Sequence, residues 1–258
     1  MAVTIKSPRE IEIMRASGRI LAKVFSELEA MIAPGISTKD IDDRAARLIA
    51  RLDGTPSFLH YRGFPAAICT SVNDEVVHGI PDRRRILKAG DIISIDIGVC
   101  YKGYHTDAAR TYGVGKISDE AADLITVTRQ AFYAGLDKAR AGNHLNDISA
   151  AVDGFVTHRG YAIVRDLVGH GIGREVHEDP QIPHFTQKRR GSRLRAGMTI
   201  CIEPMVNIGY AEVEWLEDDW TVVTEDGSWS AHYENTIVIT DGSPELLTLE
   251  AGADGHGH

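Results

Sequence analysis

Cysteine is scarce in this chain of 258 residues: Cys69, Cys100 and Cys201 stand far apart, without a CxxC pair and in odd number. That argues against a disulfide-stapled secreted scaffold and against a cysteine-rich zinc module, and it fits a reducing compartment. Positive charge is also short, with 28 Lys+Arg against 37 Asp+Glu and a formal net charge of −9. Such a chain lacks the surplus of cations that binding to a nucleic-acid backbone needs, so no sequence-specific nucleic-acid partner is expected. No apolar run reaches the ~18 residues of a membrane helix, and the first ten residues lack the basic start and apolar stretch of a signal peptide. The expectation is a cytoplasmic, soluble monomer without a membrane partner. GxxxxGK[ST], GxSxG and HExxH are all missing, so a phosphate loop, a serine-hydrolase elbow and a zincin helix have no foothold.

What is present is an ordinary globular composition, 43% hydrophobic and 25% charged, long enough to bury a large core. Ser7-Pro-Arg-Glu10 reads as an N-cap, a proline at the first helical position and a capping-box acid. Ile11, Met14, Ile20, Leu21, Val24, Phe25 and Leu28 then recur at helical spacing, and Pro34-Gly35 stops the run. A second helix starts near Thr38 with Ile41, Ala45, Leu48 and Ile49. Ile92 to Val99 alternates as a strand, with Ile93, Ile95, Ile97 and Val99 on one face and Ser94, Asp96 and Gly98 on the other. Helices are expected from about Ser118 to Arg140 and from Asp147 to His158, then mainly strands from Ile163 to Ile239. Residues 1–250 read as one domain whose halves meet near 115–160, and the Gly/His tail 251–258 reads as disordered.

An internal echo organises the chain. Leu87-Lys-Ala-Gly-Asp-Ile-Ile-Ser-Ile-Asp96-Ile-Gly-Val99 aligns with Leu194-Arg-Ala-Gly-Met-Thr-Ile-Cys-Ile-Glu203-Pro-Met-Val206, acid opposite acid. His105-Thr-Asp107 has a counterpart in His232-Tyr-Glu234, and Glu75-Val-Val-His78 one, with shifted spacing, in Glu175-Val-His177. This reads as two βα-type halves whose acids meet at their junction. Either strand acid alone is equally well explained as a solvated residue, but recurrence at equivalent positions favours a cluster. Four carboxylates at one interface would repel by ~4 kcal/mol per close pair, even at an effective dielectric near 20. Divalent cations would offset that charge, and oxygen-rich ligation with one imidazole suits Mn, Fe, Co or Zn. The imidazole candidate is His170, set in Gly169-His-Gly-Ile-Gly173, where the glycines allow close backbone approach and unusual dihedrals; a simple loop is the plainer alternative.

These stretches, together with Val76-Val-His78-Gly-Ile-Pro-Asp82, Gly103-Tyr-His-Thr-Asp107, Gly169-His-Gly-Ile-Gly-Arg174, His177-Glu-Asp-Pro180 and Ser230-Ala-His-Tyr-Glu-Asn-Thr236, resemble the type I methionine aminopeptidases in their short bacterial form. The resemblance runs from the first helix to Ile239. It implies an α+β pita-bread fold: two pseudo-symmetric halves, a curved antiparallel sheet and helices on its outer side. It implies two divalent ions (Co, Mn, Fe(II) or Zn) on Asp96, Asp107, His170, Glu203 and Glu234, with Asp107 and Glu234 bridging and Glu203 also moving the proton. It further implies that His78 and His177 contact substrate, and that Phe58, Tyr61, Phe64, Cys69 and Trp220 line a methionine pocket. A monovalent cation near Asn73 and Ser230 is left open. The substrate would be the amino terminus of a nascent polypeptide with a small second residue.

Phe58, where a cysteine is expected, and Val176, where a phenylalanine is frequent, depart from the family pattern in the pocket but leave the ligand set intact. Two other readings share the fold: a proline-specific aminopeptidase or prolidase, and a metal-free binding module. Two basic clusters, Arg83-Arg-Arg85 and Lys188-Arg-Arg190 with Arg193 and Arg195, are read first as solvated faces and second as a ribosome contact.

Overall fold

The computed structural model describes residues 3–249, so the tail expected to be disordered lies outside the described residues. Helix α1 spans Pro8–Glu29, and its start follows the sequence signal: the Ser7 hydroxyl accepts from the Glu10 N–H at 3.4 Å while the Glu10 carboxylate accepts from the Ser7 N–H at 2.8 Å. Helix α2, Thr38–Arg51, is capped in the same way by Ser37 and Asp40. Helices α3, Asp119–Lys138, and α4, Leu145–His158, follow later, and α4 begins two residues earlier than the spacing suggested because the Asp147 carboxylate accepts from the His144 N–H at 2.7 Å.

Both halves place a helix pair before their strands, so the βα order read from the echo is corrected to ααβ. A pattern-based reading had no means of seeing that α1 and α2 belong with the later strand Ile92–Tyr101. The packing shows it directly: Leu21, Val24, Ile41 and Leu48 share one core with Ile93, Ile95, Ile97 and Val99. Each of these large side chains contributes roughly 1.5–3 kcal/mol on burial. The second core gathers Phe132, Ile148 and Val152 of α3 and α4 with Ile200 and Ile202.

Every strand pairing among the described residues is antiparallel. Ile92–Tyr101 pairs along its whole length with Tyr104–Gly113, and its other edge takes Cys69–Val72 and Thr55–Pro56. In the other half Thr199–Ile202 lies between Asn235–Val238 and Gly169–Gly171, while Met205–Asn207 pairs with Ser230–His232. The echo therefore has one structural asymmetry: Asp96 sits inside a continuous strand, whereas Glu203 stands with Pro204 in a gap between two short ones. The third, shifted pairing is not equivalent in structure, since His78 follows strand Glu75–Val77 and His177 precedes strand Glu178–Ile182.

The halves are sewn together along Tyr104–Gly113. Ala109 and Glu234 exchange backbone hydrogen bonds at 3.3 and 3.0 Å. On one side the Thr236 hydroxyl accepts from the Asp107 N–H and donates to its carbonyl, and on the other the Thr111 hydroxyl does the same for His232. Arg110 completes the seam, donating to the Glu234 carbonyl and to Asn235 Oδ1 with its guanidinium between the Phe25 and Tyr233 rings.

Gly18 marks how tightly α1 is held, because a Cβ there would land on the backbone carbonyl of Leu247. Backbone has no rotamer with which to give way. Gly18→Ala is expected to destabilise the fold by about 1–3 kcal/mol, read as a lower urea midpoint; an unchanged midpoint would contradict this packing.

Candidate metal centre

The seam register decides where the acids go. Asp96 faces Ala109 across one ladder and Ala109 faces Glu234 across the next, so both acids project on one side of the sheet, with Asp107 two residues along from Ala109 on that same side. The opposite face of Ile92–Tyr101 carries the isoleucines of the core. Glu203 reaches the group from the strand gap, where its N–H donates to His184 Nε2 at 3.0 Å. His170 enters on strand Gly169–Gly171. Its flanking glycines serve close approach and not unusual dihedrals: a Cβ on Gly169 would lie 2.5 Å from the Cys201 carbonyl oxygen, one on Gly171 would strike the Asp179 carbonyl, and neither residue has positive φ.

All twelve residues singled out in the sequence line one cavity of about 450 Å³. At one end stand Asp96, Asp107, His170, Glu203 and Glu234. Phe58, Phe64 and Cys69 form a buried apolar cluster with Val176, and Tyr61 and Trp220 pack against it. Phe58 can enter because Gly98 has no side chain; a Cβ there would lie 2.7 Å from the Phe58 ring. Phe64 meets Trp220 edge-on with centroids 5.1 Å apart. His78 is held at φ 59° and followed by Gly79, whose Cβ would strike the Thr70 carbonyl; a non-glycine residue in this region costs about 1–3 kcal/mol and depends on such over-determined surroundings. His177 stacks on Tyr61, whose hydroxyl lies 2.9 Å from Nδ1, and its ring centroid is 4.3 Å from that of His170.

The electrostatics of the acid cluster are one-sided. Burial, then the charges of neighbouring acids, push the Asp96, Glu203 and Glu234 carboxyls well above the usual carboxylate range. Burial raises Asp107 to about 7, less than it otherwise would because the Asp96 carboxyl and the Ala108 N–H bond to it. Burial lowers His170 to about 4 and His177 to about 3, so both rings are neutral at pH 7. His170 Nδ1 donates to the Gly171 carbonyl at 2.9 Å, which leaves Nε2 unprotonated, 3.4 Å from Glu203 Oε1 and 4.0 Å from Glu234 Oε1. Once the carboxyls ionise, lone pairs would face lone pairs. One oxygen of each of Asp96, Asp107, Glu203 and Glu234 is buried without a hydrogen-bond partner. Acceptors left orphaned around a bare imidazole nitrogen fit a divalent cation, and Asp96, Asp107 and Glu234 do bring ligand atoms within 4.8 Å of one another.

Three neighbours escaped the sequence reading. Cys201 groups with His170 and Glu234, and His232 with Glu203 and Glu234. His184 holds the Glu203 backbone. His232 had a signal in the echo, standing two residues before Glu234, as His105 does before Asp107. His184 had none, because its role depends on a contact across 19 residues.

Metallopeptidase family M24 matches residues 12–241. A methionine aminopeptidase of Clostridium acetobutylicum is 51% identical over 247 residues, which covers 96% of this chain and 99% of that one. The crystal structure of a methionine aminopeptidase from Thermotoga maritima superposes with a TM-score of 0.95 at 42% identity, covering 96% of this chain and all of that one. The chain belongs to metallopeptidase family M24, with its pita-bread fold. Within that family it stands with the methionine aminopeptidases. The prolidase of Pyrococcus furiosus shares the fold alone, at 21% identity and a TM-score of 0.77, with 66% of its chain covered.

Raised carboxyl pKa values mean that metal-free protein keeps protons in this cluster at pH 7, and a cation must displace them. Titrating Mn(II) into metal-free protein is expected to release protons, seen as a binding heat that varies with the ionisation enthalpy of the buffer; a buffer-independent heat would contradict this charge balance.

Proposed function

We propose that the protein removes the amino-terminal methionine from polypeptides whose second residue is small, using two divalent ions. The carrying observation is the junction of four buried, unsatisfied carboxylates with an apolar aromatic pocket inside one cavity. In this reading Asp107 and Glu234 would be shared between the ions, Asp96 would help hold one of them, and His170 with Glu203 would help hold the other. The bound ions, Co, Mn, Fe(II) or Zn, supply the Lewis acidity that makes water a nucleophile near neutral pH. Glu203 takes the proton from the attacking water and passes it to the departing amine. With the Tyr61 hydroxyl donating to His177 Nδ1, the Nε2–H would donate to the substrate carbonyl as charge develops on it, and His78 would donate from the other side. The unbranched methionine side chain enters among Phe58, Phe64, Cys69 and Trp220, where its sulfur meets aromatic rings.

Nascent polypeptide ends are the proposed substrates, and Lys188, Arg189 and Arg190, all exposed, are the proposed ribosome contact. Arg83, Arg84 and Arg85 are less available, because they pair with Asp43, Asp82 and Glu75 at 2.9, 2.6 and 3.5 Å, closer than Arg190 stands to Asp147 at 4.0 Å.

Two outcomes follow from the residue roles. Asp107→Ala, which strips a bridge from both ions, is expected to abolish metal binding and turnover together, while His177→Ala lowers kcat with metal content intact. Full activity of metal-free Asp107→Ala protein would sink the two-ion reading, and lost metal in His177→Ala would show that its role is misassigned.

Substrate choice is the second check. With the scissile carbonyl held by His78 and His177 beside the residues that would hold the ions, a long second side chain would meet the cavity wall. One methylene discriminates by only ~1–3 kcal/mol, so kcat/KM across Met-X-Met peptides should decline in steps from Gly and Ala through Val to Leu. Equal turnover of Met-Leu and Met-Ala peptides would remove the narrow site.

A further inference from the structure

Glu203 is flanked by an imidazole on each of its oxygens. His170 Nε2 lies 3.4 Å from Oε1, and His232 Nε2 lies 3.8 Å from Oε2. The two rings differ in what they offer. His170 spends Nδ1–H on the Gly171 carbonyl and presents a lone pair. His232 is 1% exposed, and neither of its ring nitrogens has a hydrogen-bond partner. A neutral imidazole carries one N–H that must go somewhere; Glu203 Oε2 lies 3.8 Å from Nε2, and a Glu234 carboxylate oxygen lies within 4.8 Å of the same group.

The backbone of His232 is fixed independently of its ring. Its N–H and carbonyl both bond the Thr111 hydroxyl at 2.9 Å, and it pairs in register with Met205. It does not line the cavity, so it approaches Glu203 from the interior. The comparison with the other half is instructive: His105, its counterpart in the echo, has Nδ1 2.8 Å from the Ser57 hydroxyl and so spends its ring on the fold. His232 has no such partner among the described residues.

We propose that His232 is a positioning residue whose Nε2–H holds Glu203 Oε2, leaving Oε1 turned toward His170 and the metal-binding space. This rests on the reading of Glu203 as the proton-carrying group. A carboxylate tethered at one oxygen presents the other in a fixed direction, which is what a ligand that must also exchange a proton requires.

The first test is ring ¹⁵N NMR of Zn(II)-loaded protein, in which Glu203 has given up its proton; assigned with His232→Gln, it should find His232 as the Nε2–H tautomer. An Nδ1–H tautomer or an imidazolium would overturn the proposal. The second compares two variants by Mn(II) calorimetry and by turnover of a Met-Ala-Ser peptide. His232→Gln keeps an N–H donor without the imidazole and should bind Mn(II) and turn over close to the unaltered chain. His232→Leu keeps neither and should lose kcat by about tenfold or more, with KM little changed. Equal losses in both variants, in kcat or in Mn(II) affinity, would overturn the donor role, and so would a His232→Leu protein that matches the unaltered chain. Glu203→Gln serves as reference: if it stays active, the reading of Glu203 fails, whereas the tautomer of His232 still stands or falls by itself.

Discussion

Four carboxylates buried within reach of one another set the terms for the rest of the molecule. At an effective dielectric near 20 each close pair of charges repels by ~4 kcal/mol, and burial adds a cost for every charge. The carboxyls respond by holding protons, with Asp107 at about 7 and the other three well above the usual range. A site that must give up those protons to bind cations, and bind cations to be at ease, is coupled to its metal by its own charge balance.

The fold makes that placement tolerable by giving the backbone no alternative. The Ala109–Glu234 exchange fixes the register between halves, and Thr236 and Thr111 saturate the backbone groups on either side with their hydroxyls. Arg110 adds a cation behind the Glu234 backbone, clamped between aromatic rings, without neutralising the carboxylate itself. The two cores lie on separate helix pairs, so each half is braced from outside while the acids face inward at the join. His170 stays neutral because it is buried, which keeps a bare nitrogen there, and lost solvation holds His177, proposed to contact substrate, neutral as well.

Much of this was legible in the chain because it rests on local pattern. The Ser7 and Ser37 helix starts, the alternation through Asp96 and the repeated Ile-acid segment each follow from short-range rules that the structure obeys. The glycines around His170 serve close approach, as their pattern suggests, but adopt no unusual dihedrals. What escaped depends on contacts between distant segments. His184 under Glu203, Cys201 beside His170 and the order of helices and strands in each half leave no mark on nearest-neighbour periodicity. His232 was visible as an echo of His105, but only the folded seam shows that one ring has a partner and the other has none.

The orphaned oxygens of Asp107 and Glu234 are proposed to be shared between cations. Anomalous diffraction from crystals soaked in Mn(II), recorded on both sides of the metal edge, reads this without reference to activity. The account predicts two peaks per chain, ~3.5–4 Å apart, each touching both Asp107 and Glu234, with Asp96 on one side and His170 and Glu203 on the other. A single peak that leaves either bridging acid untouched, or Mn(II) bound only elsewhere on the chain, would contradict it.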